Sequence, residues 1–276
     1  MKFGIILVFG LFASVFAQCV ISQEEALMNM YVALGGDSWT DNTNWNTGDA
    51  CTWYGISCNI DGNVVGIDLS NNNLVGLLTD DIGCFPFLKS LQLNDNEISG
   101  PVPDAIGELT NLKYLNLDNN LLTGPLPTAL CADEHLQYIY LGHNLFEGDI
   151  PACYVTNFTF VKEVHLDCNL LTGDLLDFSG YEYMFELRSR CNNFNVECPA
   201  WIETTDMLVI CSGDCEDCPI VPPTQCPEFV EVEDCGLYYP VLPTSQPVAS
   251  VESNVPMKSP SVWARVMHVV STWLAW

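Results

Sequence analysis

The stretch LQLNDNEISG, residues 91–100, holds the pattern that decides the fold. Leu91 and Leu93 stand two apart, so a short extended strand puts both on one face and turns Gln92 to the other. Asn96 follows, a short polar residue able to satisfy backbone groups that a stacked loop otherwise leaves unpaired. Gly100 then lets the chain turn. The same sentence recurs on both sides, as IDLSNNNLVG (67–76), LNLDNNLLTG (115–124), IYLGHNLFEG (139–148) and VHLDCNLLTG (164–173), with LRSRCNNFNV (187–196) as a degenerate last copy. The asparagines Asn72, Asn96, Asn120, Asn144, Asn169 and Asn192 are spaced 24, 24, 24, 25 and 23 residues apart, the period of a solenoid. One such coil cannot bury its own apolar face, so stability has to come from stacking, and both ends need caps.

After the turn, Val102-Pro103, Leu126-Pro127 and Ile150-Pro151 supply an apolar anchor beside a stiff residue that donates no hydrogen bond. The first and fifth coils lack that proline. At the N-terminal end, Ser22 and Glu25 form a capping box, Leu27, Met30, Tyr31 and Leu34 keep helical spacing, and Gly35-Gly36 ends the helix. Cys51 and Cys58, within CTWYGISC, are close enough to close a small loop around Trp53 and Tyr54, whose rings are expected to cover the first coil.

The template LxxLxLxxNxLxGxIP, the helix followed by GGDSW (35–39) and NW (44–45), and the Cys-Trp-Gly-Ile-Cys arrangement of 51–58 together resemble the plant-type leucine-rich-repeat family. Receptor ectodomains and polygalacturonase inhibitors belong to it. The resemblance covers roughly residues 22 to 200 and implies a leucine-rich-repeat solenoid, a right-handed superhelix with its parallel β-sheet on the concave face and ligand recognition there. The expected organisation is a signal peptide at 1–17, a helical N-terminal cap at 18–61, about six repeats at 62–200, a disulfide-rich C-terminal cap at 201–236, a proline-rich linker at 237–261 and a short apolar tail at 262–276.

Met1-Lys2, the apolar run from Phe3 to Phe16 and the small residues around Ala17 read as a secretory leader. In an oxidising compartment the 14 cysteines favour disulfides, and this holds too for Cys211, Cys215 and Cys218, whose spacing would otherwise suit zinc. Cys168 and Cys191 occupy the same template position in successive coils and are expected to bridge each other. Cys131 pairs with Cys153 on a weaker argument, and Cys19 with Cys84 by elimination. Asn157-Phe158-Thr159 is a glycosylation sequon outside the strands. The tail at 262–276 reads equally as an anchor signal, an interfacial helix or a remnant, so membrane attachment through it stays open.

Acidic residues outnumber basic ones 35 to 8, for a net charge of -27, which argues against a nucleic-acid partner. Within the repeats the basic residues are Lys89, Lys113, Lys162, Arg188 and Arg190, all on or beside strands. The outward positions form three columns. The first is Asp68, Gln92, Asn116, Tyr140, His165 and Arg188; the second Ser90, Tyr114, Tyr138, Glu163 and Glu186; the third Asn94, Asp118, Gly142, Asp167 and Arg190. Tyr114, Tyr138, Tyr140, His165, Arg188 and Arg190 are the candidate ligand-binding residues, because such side chains join large contact area to directional hydrogen bonds.

Arg188-Ser189-Arg190 resembles the Arg-x-Arg element with which some plant peptide receptors hold a peptide's C-terminus, although Asp167 shares a column with Arg190 and is placed to neutralise it. His135, His143 and His165 sit in no zinc motif, and no nucleophile elbow or phosphate loop is present in the sequence, so neither an enzyme nor a metal or cofactor site is expected. The resulting reading is a secreted or cell-surface module that binds a protein or peptide on its concave face. Inhibition of a secreted hydrolase, suggested by the resemblance, and a structural coat are the alternatives.

Overall fold

The structure is a computed structural model that describes residues 19–195 and 208–210. The leader, the C-terminal cap apart from one strand, the linker and the tail therefore lie outside the described residues. Helix α1 spans Gln23–Ala33, capped by the Ser22 hydroxyl, which accepts from the Glu25 N–H. Thirteen short strands follow among the described residues: β1 Ile56–Cys58, β2 Val64–Asp68, β3 Val75–Leu77, β4 Ser90–Gln92, β5 Glu97–Gly100, β6 Tyr114–Asn116, β7 Leu121–Gly124, β8 Tyr138–Tyr140, β9 Leu145–Asp149, β10 Glu163–His165, β11 Leu170–Thr172, β12 Glu186–Arg188 and β13 Leu208–Ile210.

The strands sort into two sheets. One runs β1-β2-β4-β6-β8-β10-β12-β13, parallel except for the β1–β2 pair, and carries the three columns of outward residues. Its register aligns Ile67, Leu91, Leu115, Ile139, Val164 and Leu187 as consecutive partners, all fully buried. Each such side chain stabilises the stack by roughly 1.5–3 kcal/mol relative to its exposed state. The second sheet, β3-β5-β7-β9-β11, is built from the residues just after each template asparagine. The sequence reading assigns only a glycine turn there. Three- to five-residue strands with mixed exposure carry no alternation long enough to read. Short 3-10 turns at Asp80–Cys84, Asp104–Glu108, Thr128–Ala132 and Ala152–Val155 close the remaining side of the coils.

The asparagines do what their chemistry suggests. The Asn120 Nδ2 donates to the carbonyls of Leu93 and Leu117 while its Oδ1 accepts from Ile98 N–H, tying its coil to the one before. Asn72 does the same for the cap, exchanging hydrogen bonds with both backbone groups of Asp41. The residue before each asparagine is left-handed: Asn71, Asp95, Asn119, His143, Cys168 and Cys191 all have φ between 49° and 58°.

The cap is a ring stack. Trp45 packs within 5.5 Å of Tyr31, Trp39 and Trp53, and each indole N–H donates to a backbone carbonyl. Trp53 is buried, whereas Tyr54, expected to join it, is 40% exposed and serves the cap through its backbone, its carbonyl accepting from Trp45 and its N–H donating to the Thr43 carbonyl. Disulfides join Cys51 to Cys58, Cys19 to Cys84 and Cys131 to Cys153. Cys168 and Cys191 are each disulfide-bonded as well. No helix among the described residues is long and apolar enough to cross a membrane.

Candidate functional site

Strands β6, β8, β10 and β12 are three-residue segments whose middle side chain is buried and whose flanking side chains face outward. Their parallel register places Tyr114, Tyr138, Glu163 and Glu186 in one row, and Asn116, Tyr140, His165 and Arg188 in the next. Five of the six candidate residues therefore come together through hydrogen-bonded strand pairs, and Arg190 follows two residues after Arg188.

The rings form one continuous surface. Tyr114 lies 5.6 Å from Tyr138 and meets Tyr140 edge-on at 5.3 Å, and Tyr140 stacks on His165 at 4.3 Å. Lys162 sits with its Nζ 5.5 Å from the centre of the Tyr138 ring and donates to Gln137 Oε1. Such ring pairs add about 0.5–1.5 kcal/mol each beyond burial, and here they also fix one another's orientation. The Tyr140 hydroxyl donates to Glu163 Oε2. Burial and that bond hold the Tyr140 pKa far above the ordinary phenol value, so the group is a donor at any physiological pH.

Acids occupy the spaces between the rings and the basic residues. The Arg188 Nε donates to Glu186 Oε1 at 2.6 Å, and the Arg190 Nε lies 3.9 Å from Asp167 Oδ2. His143 Nε2 is 3.4 Å from the same carboxylate. That contact raises the His143 pKa against the opposing effect of burial. Burial acts to raise Asp167, but His143, His165 and Arg188 outweigh it and hold this acid below its ordinary value. Glycine at 142 is what lets two acids meet here: a Cβ would come within 3.0 Å of Asp167 Oδ1 and 3.4 Å of Asp118 Oδ1, and the Gly142 N–H donates to Asp118 at 2.6 Å. Burial pushes the Asp118 pKa up, as it does that of Glu163, to which Glu186 adds.

The two arginines are thus occupied by acids of their own chain, as the shared column of Arg190 and Asp167 foreshadows, and Arg188 adds a partner on its own strand. Sequence reasoning selected the aromatic and basic members of the columns and passed over Glu163, Glu186, Asp118 and Asp167. Their signal was the same outward register, hidden by a composition in which acids are common. Asn157 is exposed just beyond the Ala152–Val155 turn, outside the strands, where its Oδ1 accepts from the Thr156 hydroxyl.

The stacked coils, the buried asparagine ladder and the tryptophan-rich cap define a leucine-rich-repeat solenoid with aromatic and charged columns on its outward strand face. Residues 20–59 match the leucine rich repeat N-terminal domain and residues 86–146 the leucine rich repeat, matches that support a plant-type leucine-rich-repeat family. The chain is 53% identical over 38 residues to the receptor-like protein kinase BRI1-like 3 of Arabidopsis thaliana, a match covering 13% of this chain and 3% of that protein. The chain spans a tenth or less of the length of the curated relatives it matches. Among solved structures it is similar to Pollen Receptor Kinase 3, with TM-score 0.62 and 25% identity over 69% of this chain and 93% of that one. It is also similar to the Arabidopsis receptor kinase HAESA, solved in complex with the peptide hormone IDA and the co-receptor SERK1, with TM-score 0.62 and 26% identity over 70% of this chain and 33% of that one.

Proposed function

We propose that this chain is an extracellular or cell-surface binding module without catalytic activity, taking a protein or peptide partner on the strand face of its C-terminal coils. The observation that carries the reading is the ring surface of Tyr114, Tyr138, Tyr140 and His165, built on hydrogen-bonded strands and flanked by Lys162, Arg188 and Arg190. A surface ordered before binding loses little side-chain entropy when a partner docks, and Tyr and Arg dominate binding hot spots. Similarity to an ectodomain solved with a peptide hormone supports the same reading. Disulfides within the described residues suit an extracellular setting.

The pairing of Arg188 with Glu186 and of Arg190 with Asp167 moves the weight of the site from the arginines to the rings. A partner's carboxylate would have to displace an internal acid, whereas a partner's apolar or aromatic side chain meets the tyrosines directly.

The test is affinity capture from extracellular and surface extracts with the full chain, beside Tyr114→Ala and Tyr138→Ala variants, followed by titration of the captured partner. Each variant is expected to bind at least about tenfold more weakly, a loss of ~1.4 kcal/mol. A partner held equally by parent and variants places the site elsewhere, and the absence of any specific partner overturns the reading.

A further inference from the structure

Glu163, His165 and Glu186 bring two carboxylates and an imidazole nitrogen together on one face of β10 and β12. Glu163 and Glu186 are direct register partners, and His165 lies two residues along from Glu163 on the same side of the strand. The His165 Nε2 is 3.9 Å from Glu163 Oε2 and 3.8 Å from Glu186 Oε1, and one donor atom from each of the three residues lies within 4.8 Å of the others. That nitrogen is buried and makes no hydrogen bond, and the His165 side chain is only 12% exposed. On the other side of the ring, Asp118 Oδ2 lies 3.9 Å from Nδ1.

Asp118 can hold the imidazole through Nδ1, so that Nε2 is the nitrogen turned toward the two further carboxylates and open to a metal ion. Three electron-rich groups held at this distance repel one another unless a cation stands between them. Arg188 supplies one positive charge, bonded to Glu186 Oε1, and Arg190 another, turned to Asp167. Against these stand four acids, Glu163, Glu186, Asp118 and Asp167, in a chain of net charge -27.

We propose that Glu163, His165 and Glu186 form a binding site for a divalent transition-metal cation of the zinc class. Imidazole with carboxylate suits such ions, and three protein donors leave a fourth position for water or a ligand group. Bonds of about 2.0–2.2 Å place tetrahedral donors ~3.4 Å apart, so the two carboxylates need to approach His165 by roughly half an ångström and each other by at most about 1.4 Å. Two features already present would support the ligands. The Tyr140 ring stacks on His165 and its hydroxyl holds Glu163, while Asp118 faces the far nitrogen of the imidazole. The neighbouring group of His143, Asp167 and Cys168 is no rival, because Cys168 is disulfide-bonded and offers no thiolate. The site needs no macromolecular partner, so its failure and that of the binding function are separable.

The chain, dialysed against chelator and then against metal-free buffer, is titrated calorimetrically with zinc chloride. Matched titrations use His165→Gln, the isosteric Glu186→Gln and, for the supporting shell, Tyr140→Phe, with circular dichroism confirming that each variant is folded. Cobalt(II) replaces zinc in a parallel sample to report the donor atoms by its visible spectrum.

The result expected is a zinc equivalent lost or weakened at least about 10–100-fold in His165→Gln and Glu186→Gln, since removing a ligand costs no less than removing its supporting partner. Tyr140→Phe weakens it about tenfold. The cobalt bound at that equivalent shows no thiolate charge-transfer band, which separates the site from any cysteine cluster near Cys211. Failure to bind zinc, equal binding by parent and both ligand variants, or a thiolate band on the equivalent they affect overturns the proposal.

Discussion

Asn144 shows how much of the solenoid's cohesion rests on one side chain per coil. It is fully buried, its Nδ2 donates to the carbonyls of Leu117 and Gly142 at 2.9 Å, and its Oδ1 accepts from Leu122 N–H at 3.0 Å. Removing the amide leaves the buried Leu122 N–H without a partner, while the carbonyls of Leu117 and Gly142 keep their second donors, Asn120 Nδ2 and Asn119 N–H; one such orphaned group costs about 1–3 kcal/mol when nothing replaces the bond. Asn144→Ala is therefore expected to lower the unfolding free energy by about 1–3 kcal/mol, measured by urea denaturation with an unchanged slope. A change below ~1 kcal/mol would mean that water or a shifted coil satisfies that N–H instead. This role was legible in the sequence because only a short amide, with both a donor and an acceptor, suits a position repeated every coil at the end of a buried strand. The left-handed backbone one residue earlier was not. Asn71, Asp95, Asn119 and His143 are of types enriched in such a conformation, but Cys168 and Cys191 give no sign of it.

Among the elements, the strands of the first sheet and helix α1 could be read directly, since period-two leucines and a capping box state their own geometry. The second sheet could not, because β3, β5, β7, β9 and β11 owe their existence to neighbours one coil away. Gly76 in β3 illustrates the dependence. Its φ is 144°, and a Cβ there would lie 2.0 Å from the carbonyl oxygen of Ala33, the last residue of α1. The glycine is thus where the first coil and the cap helix touch backbone to backbone. Gly76→Ala must either push α1 away from β3 or force the strand out of its conformation, and a cost of at least about 2 kcal/mol is expected. Thermal melting followed by tryptophan fluorescence checks it, because Trp39, Trp45 and Trp53 all sit in the cap. A variant as stable as the parent would show that this contact contributes little to holding the cap on. The candidate site was half legible for a related reason. Columns follow from register, but which column members pair, as Arg188 does with Glu186 and Tyr140 with Glu163, depends on side-chain reach between and along strands.

At the scale of the whole molecule, charge opposes the fold that packing supports. A net charge of -27 on 276 residues places many acids on the surface of stacked coils, and their mutual repulsion is stronger in the folded stack than in an expanded chain. Favourable pairs act in the other sense, but they are few: Arg188–Glu186 and Arg190–Asp167 lie in the C-terminal coils, and the arginine side chains are 42% and 26% exposed. Partly exposed pairs of this kind contribute about 0–1 kcal/mol. Repulsion should therefore win. Raising sodium chloride from about 10 mM to about 150 mM shortens the screening length from roughly 30 Å to 8 Å, a range that covers several coils in the first case and hardly two in the second. The melting temperature of the chelator-treated chain is expected to rise across that interval, each ~1 kcal/mol of relieved repulsion appearing as about 2–4 °C in a domain of this size. Sodium chloride is the right probe because a divalent salt would also load any metal site. If the melting temperature falls instead, local ion pairs outweigh the long-range field, and the acids around His143, His165 and the two arginines must then be counted among the interactions that hold the C-terminal coils together.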